Sequence, residues 1–67
     1  MIRGVVKDYD RLKGFGFITG DNGEDYFVHV SGLREYLKKK GLRSGQKVSF
    51  DIDRDLKGDR AVNVRLD

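Results

Sequence analysis

Five short runs rich in Val, Ile, Phe and Tyr, each bounded by Gly, Asp, Asn or Ser, recur along the chain. Such runs predict β-strands, because branched and aromatic side chains suit a pleated sheet and the bounding residues form turns. Asp-Asn-Gly at 21–23 and the segment 55–58 are predicted to close two hairpins. The runs span residues 2–9, 15–18, 26–30, 48–52 and 61–66. In a chain of 67 residues they predict one small all-β domain, a barrel or a sandwich, over residues 1–67.

The composition excludes several kinds of site. The chain has no cysteine and a single histidine, so it forms no disulfide and no metal site built from thiolates or several histidines. It shows no apolar stretch long enough for a signal peptide or a membrane-spanning helix. We therefore expect a cytoplasmic protein with no metal, no cofactor and no membrane partner. Charged residues make up 37% of the chain, but the ordered runs argue against disorder.

The connection between the third and fourth runs is the longest, and it shows a helical pattern. Leu33, Tyr36 and Leu37 recur at the spacing of one helix face. Ser31 can cap the start of this helix, and Gly41 can end it. We expect a short helix here, lying over one end of the barrel.

The same connection carries most of the positive charge. Residues 31–43 include five basic residues and one acid, a net charge of +4 in a chain whose total is +3. A basic segment of this kind is typical of contacts with phosphates, although it is more often a solvated helix face. Both interpretations stay open at this point.

The motif KGFGFI at residues 13–18 leaves two orientations open. Alternation along a strand puts Lys13, Phe15 and Phe17 on one face and the two glycines on the other. The rings can belong to the core, with the glycines outside. Alternatively, the glycines face a tightly curved interior and the rings stand on the surface beside a lysine. Exposed rings in a small domain predict a ligand with flat faces, and nucleobases are such ligands.

The third run offers a matching choice. Its face with Tyr26, Val28 and Val30 is uniformly apolar and suits a core, which leaves Phe27 and His29 on the other face. Pairing of the second and third runs through the 21–23 hairpin can join these two side chains to the phenylalanines of KGFGFI in one aromatic patch. The register that decides this depends on the turn geometry.

KGFGFI and the sequence YFVHVS at 26–31 resemble the two ribonucleoprotein motifs of the bacterial cold-shock domain, in order and separation. Three further segments extend the resemblance over nearly the whole chain: 2–7, LRSGQKVSF at 42–50 and AVNV at 61–64. It implies a five-stranded antiparallel OB-fold barrel with the short helix between strands 3 and 4. It also implies an RNA chaperone that binds single-stranded RNA and DNA by stacking unpaired bases on surface aromatics, without catalysis or a small-molecule substrate.

The resemblance further implies a nucleic-acid-binding site with a stacking platform and a polar rim. Residues at the rim would contact phosphates or base edges, and the rings would face the surface. The stacking positions are Phe15, Phe17, Phe27 and His29, and the rim positions are Lys7, Lys13, Lys39, Lys57 and Arg60.

Three positions depart from the family pattern. Asp8 stands where the family has Trp after the first-strand lysine, Val30 stands where another aromatic follows the histidine, and Lys39 stands near the place of a further ring. Tyr9 and Tyr36 are the candidates to replace a missing ring. Because each base stacked on an aromatic contributes about 1–3 kcal/mol, we expect a weaker, more electrostatic and less base-selective binder than the family norm.

Two other functions remain open. The barrel is alternatively a protein- or ribosome-interaction module that binds through its basic helix, although the retained phenylalanines argue against this. An enzyme is the third candidate, with His29 as a general base and Asp25 to orient it. No nucleophile stands out beside this pair, so we expect no catalytic activity.

Overall fold

The computed structural model describes all 67 residues and contains five strands that close into a barrel. Going round the barrel, the strand order is β1-β2-β3-β5-β4. Each predicted run forms a strand, with ends that differ by one or two residues. The strands are β1 (Ile2–Asp10), β2 (Phe15–Gly20), β3 (Asp25–His29), β4 (Lys47–Asp53) and β5 (Arg60–Leu66). The predicted all-β, five-stranded barrel is therefore confirmed.

One strand pair corrects the expectation of a wholly antiparallel barrel. β3 and β5 run parallel, with Phe27 opposite Arg60 and Val28 opposite Ala61, whereas the other four pairs are antiparallel. The cause is the odd number of strands. Antiparallel neighbours alternate in direction, and five strands in a closed ring cannot all alternate, so one pair has to be parallel.

The core is filled by the inward side chains of all five strands and by three leucines of the long connection. Phe50, Ile18 and Val28 are fully buried at its centre. The core consists of Val6, Ile18, Tyr26, Val28, Leu33, Leu37, Leu42, Val48, Phe50, Ala61 and Val64. Because Ile18, Tyr26 and Val28 point inward, the opposite faces of β2 and β3 are left to solvent.

The first strand contains a β-bulge at Lys7. Val6 lies opposite Ile18 and Asp8 lies opposite Phe17, so Lys7 is an extra residue on β1. A bulge breaks the alternation of faces. Lys7 and Asp8 are consequently both exposed, although they are neighbours in the chain.

Both predicted hairpin turns are present. Between β2 and β3 the amide of Gly23 donates to the carbonyl of Gly20 at 2.9 Å, and Gly23 has a φ of 83°, which a side chain would disfavour. Between β4 and β5 the amide of Gly58 donates to the carbonyl of Asp55 at 3.0 Å. These turns fix which residues of adjacent strands lie opposite each other.

The long connection contains less helix than the sequence predicts. A 3-10 turn at Val30–Gly32 is followed by α1, a single turn at Glu35–Lys38. Ser31 does not cap α1, because it lies in the 3-10 turn and the residue before α1 is Arg34, which makes no side-chain capping hydrogen bond. The predicted end is confirmed, since the amide of Gly41 donates to the carbonyl of Leu37 at 2.7 Å. Neither helical segment has the length and apolar character needed to span a membrane.

Candidate nucleic-acid interface

Three phenylalanines lie side by side on the outer face of β2 and β3. Phe17 lies opposite Phe27, and Phe15 lies opposite His29, across the β2–β3 pair. The Phe27 ring centroid is 5.9 Å from that of Phe15, in a stacked arrangement, and 5.9 Å from that of Phe17, edge to face. Phe15 and Phe17 are 37% and 41% exposed. We call Phe15, Phe17, Phe27 and His29 the aromatic platform; the structure places all four on one face.

A close approach of β1 explains why the rings face outward. A Cβ atom on Gly16 would lie 2.2 Å from the carbonyl oxygen of Asp8 and 2.6 Å from the Cα of Tyr9. No side chain fits there, so only glycine can occupy the inner face of β2 at this point. The neighbouring phenylalanines necessarily stand on the other face.

His29 ends β3 with its ring held by the following turn. Its Nδ1 accepts a hydrogen bond from the amide of Ser31 at 3.1 Å and lies 2.9 Å from the Ser31 hydroxyl oxygen. A neutral ring whose Nδ1 accepts carries its proton on Nε2. His29 therefore offers an N–H donor at the end of the platform, and it has no hydrogen bond to Asp25, the carboxylate that a general base would need.

Asp25 instead holds the edge of the platform near the bulge. Its carboxylate accepts a hydrogen bond from the Thr19 hydroxyl at 2.8 Å and pairs with Lys7 Nζ at 3.1 Å. The hydrogen bond from Thr19, followed by the contacts with Lys7, lowers the pKa of Asp25 below its usual value. The charge of Lys7 is thus partly compensated within the chain.

A groove of about 560 Å³ runs along the β1 side of the rings. Lys13 and Asp8 both line it, together with Phe15 and Phe17. The side chain of Lys13 makes no hydrogen bond or ion pair within the chain. Arg11 and Asp10 line it as well, and Arg11 also has no ion pair. This groove therefore combines two aromatic faces with two free cations and two carboxylates.

A second cavity, of about 470 Å³, lies on the opposite side of the rings. Phe17 and Phe27 form one wall, and the other is formed by the β4–β5 loop, which includes Lys57, and by Arg60 at the start of β5. Arg60 pairs with Asp53 at 3.0 Å, whereas Lys57 has no ion pair. The rings are therefore flanked on both sides by a lysine without an acidic partner.

A family model described as the 'Cold-shock' DNA-binding domain matches residues 2–66. The chain is 46% identical over 65 residues to cold shock protein CspC of Bacillus subtilis, covering 97% of each chain. It is 48% identical over 65 residues to a cold shock-like protein of Aquifex aeolicus, covering 96% of this chain and 91% of that protein. The chain belongs to the cold-shock domain family. The resemblance seen in the sequence is confirmed, and membership of this family supports a nucleic-acid-binding function.

The remaining predicted site residue of this cold-shock domain, Lys39, lies away from the rings. It lines a cavity of about 400 Å³ with Tyr9, Arg11 and Leu12, and no platform ring borders that cavity. The same three neighbours also line the groove beside Phe15. Lys39 therefore lies past the end of the platform, one cavity further along the surface.

Neither of the two tyrosines expected to replace a missing ring, Tyr9 and Tyr36, joins the platform. Tyr9 is half-buried and packs against the core, and this burial raises the pKa of its hydroxyl. The Tyr36 hydroxyl accepts a hydrogen bond from the amide of Leu66 at 3.0 Å, at the opposite end of β5 from Arg60. The platform consequently consists of three phenylalanines and one histidine.

Two features of the surface could not be predicted from the sequence. The first is the bulge that brings Lys7 and Asp8 to one face. Its only sign in the sequence is that two charged residues are neighbours inside a strand, where apolar and polar residues should alternate. Leu12 and Leu56 are fully exposed in the β1–β2 and β4–β5 loops. In the sequence they look like any other apolar residues, so nothing marks them as surface positions.

Proposed function

We propose that this cold-shock domain binds single-stranded RNA and DNA in the cytoplasm and acts as an RNA chaperone, without catalysis or a cofactor. The observation that carries the proposal is the row of three phenylalanines on the outer face of β2 and β3, of which Phe15 and Phe17 are exposed and Phe27 is half-buried between them. Exposed apolar rings are unfavourable in water unless a ligand covers them. Unpaired bases have flat faces of the right kind, and their stacking on aromatic side chains tolerates any base.

The chaperone mechanism follows from what the platform can contact. Bases in a duplex stack on each other and present only their edges, so the rings bind strands that are already unpaired. Binding to the unpaired form alone shifts the equilibrium away from secondary structure by mass action. Each base stacked on a ring contributes about 1–3 kcal/mol, which is comparable to the free energy of opening one base-pair step.

The rim residues divide into two groups according to their partners. Lys13 and Lys57 flank the rings without ion pairs, which favours contacts with phosphates. Lys7 and Arg60 are held by Asp25 and Asp53, so they contact the strand only if these exposed pairs open or if a base edge reaches them. Exposed pairs contribute little to stability, and a phosphate can compete for the cation.

Fluorescence anisotropy with labelled single-stranded oligonucleotides tests the proposal. Phe17→Ala should weaken binding by about tenfold or more, because it removes one stacking ring. Leu66→Ala is the matched control, since Leu66 is 43% exposed against 41% for Phe17 and lies at the far end of β5. Equal effects of the two variants would contradict the proposal. Absence of binding even at low salt would direct attention to protein or ribosomal partners of the basic segment.

A further inference from the structure

Asp8 occupies an unusual position beside the platform. The bulge at Lys7 puts its side chain on the outer face, directly opposite Phe17, and it lines the groove that contains Phe15, Phe17 and Lys13. Its carboxylate makes neither a hydrogen bond nor an ion pair within the chain.

The other two carboxylates on this part of the surface are already engaged. Asp25 is held by Thr19 and Lys7, and Asp10 accepts hydrogen bonds from the amides of Leu12 and Lys13 at 2.9 Å and 3.0 Å. Asp8 alone keeps the full acceptor capacity of both oxygens. Asp10 lines the same groove, but its Oδ1 is committed to the two amides, so Asp8 is the carboxylate there that can accept two hydrogen bonds side by side.

The chemistry of a strand decides which group this is. Phosphates are repelled by a carboxylate, and Lys13 in the same groove offers them a better partner. A base stacked on Phe17 presents its edge to the sides of the ring, and carboxylates accept hydrogen bonds from amino and imino groups on base edges. Asp8 thus suits a base edge rather than the backbone of the strand.

Only one common base offers two adjacent donors to the two oxygens of a carboxylate. The Watson–Crick edge of guanine carries N1–H next to the N2 amino group. Thymine and uracil carry a single N–H between two carbonyl oxygens, which a carboxylate repels. Adenine and cytosine place their amino group next to a ring nitrogen that is itself an acceptor.

We propose that Asp8 is a specificity-determining residue that selects guanine for the base stacked on Phe17, by accepting hydrogen bonds from N1–H and N2–H. This inference rests on the proposed single-strand binding. It revises the expectation of a less base-selective domain: loss of a ring at this position lowers general affinity, while the carboxylate adds a preference for one base.

The test compares labelled thymine oligonucleotides that differ only at one central position, which holds guanine, inosine, adenine or thymine. Anisotropy at low salt should give wild-type protein a preference for guanine over thymine of about fivefold or more, the lower end of a bidentate base contact. Inosine, which lacks the N2 amino group, should bind with intermediate affinity.

Two variants assign the preference to its residue. Asp8→Asn removes one acceptor oxygen and the charge, so guanine and thymine should bind with similar affinity. Glu24→Gln removes the same charge from an exposed side chain in the β2–β3 hairpin, away from the groove, and should leave the preference unchanged.

Each contrary result has a distinct meaning. Equal binding of guanine and thymine by the wild type, equal binding of guanine and inosine, or a preference that survives in Asp8→Asn would overturn the inference while Phe17-dependent binding persists. Failure of every oligonucleotide to bind would overturn the proposed function together with it.

Discussion

Asp25 shows how a single side chain orders the edge of the platform. Its carboxylate connects Thr19 on β2 with Lys7 in the bulge of β1, so three segments of chain meet at one group. These bonds favour the ionised form, which is why the pKa of Asp25 lies below its usual value. The platform edge is therefore best ordered when Asp25 carries its charge.

The pH dependence of stability tests this role of Asp25. A carboxyl whose pKa is lowered by folding stabilises the protein above its unfolded pKa of about 4, and this contribution is lost as pH falls through the folded value. Asp25→Asn should lower the melting temperature slightly at pH 7, because the pair is exposed. Thermal unfolding monitored by circular dichroism should show the difference from wild type shrinking as the solution is acidified. A difference that stays constant from neutral to acid pH would contradict this role.

At the scale of the element, the bulge in β1 determines the composition of the site. It turns both Lys7 and Asp8 outward and brings the β1 backbone against Gly16. Bulges of this kind reorient side chains at the edges of binding sites. The same irregularity therefore gives the groove its carboxylate and forces the phenylalanines of β2 to the surface.

Substitution of Gly16 tests this close approach. Gly16→Ala would place a methyl group against the backbone of Asp8 and Tyr9, so β1 has to shift, at a cost of about 1–3 kcal/mol. Urea unfolding measures this loss. Gly23→Asn is a suitable control, because open space surrounds Gly23 and Asn tolerates its positive φ. Similar, small effects of the two variants would show that β1 and β2 do not approach closely at the bulge.

At the scale of the whole molecule, the segment with most of the net positive charge does not coincide with the aromatic platform. The chain has a net charge of +3, but much of its positive charge lies in the 31–43 segment, where Lys38 pairs with Glu35 and Arg34 bonds to Asn63. Around the rings, most carboxylates and cations neutralise one another. Arg11, Lys13 and Lys57 are the cations left without partners beside the platform, so they should dominate the electrostatic part of binding.

The salt dependence of oligonucleotide binding tests this distribution. Each phosphate contact with a single strand adds about 0.7 to the slope of log affinity against log salt concentration. Lys57→Gln and Lys13→Gln should each make that slope shallower by about 0.7. Lys40→Gln removes the same charge from the long connection, borders none of the cavities at the rings, and should leave the slope nearly unchanged. A salt-independent affinity of the wild type would contradict an electrostatic contribution altogether.

Local sequence was sufficient to determine the strands, the two hairpin turns and the end of the helix at Gly41. Strand preference and turn chemistry depend on residues that are neighbours in the chain, so composition and alternation predict them. The family motifs also identified the four platform side chains, and the structure places them on one face. The parallel β3–β5 pair follows from closing five strands into a ring, once closure is known.

Only the tertiary structure decided the bulge at Lys7, the packing of Tyr9 against the core and of Tyr36 at the far end of β5, and which cations pair with an acid. These features depend on contacts between residues far apart in sequence: Lys7 and Asp25 are 18 positions apart, and Tyr36 and Leu66 are 30 apart. Alternation along a strand assumes a regular ladder, and one extra residue in β1 breaks that assumption. The local sequence pattern therefore determines the rings of the site. The tertiary contacts of the closed barrel determine which carboxylate and which lysines beside those rings are left without partners.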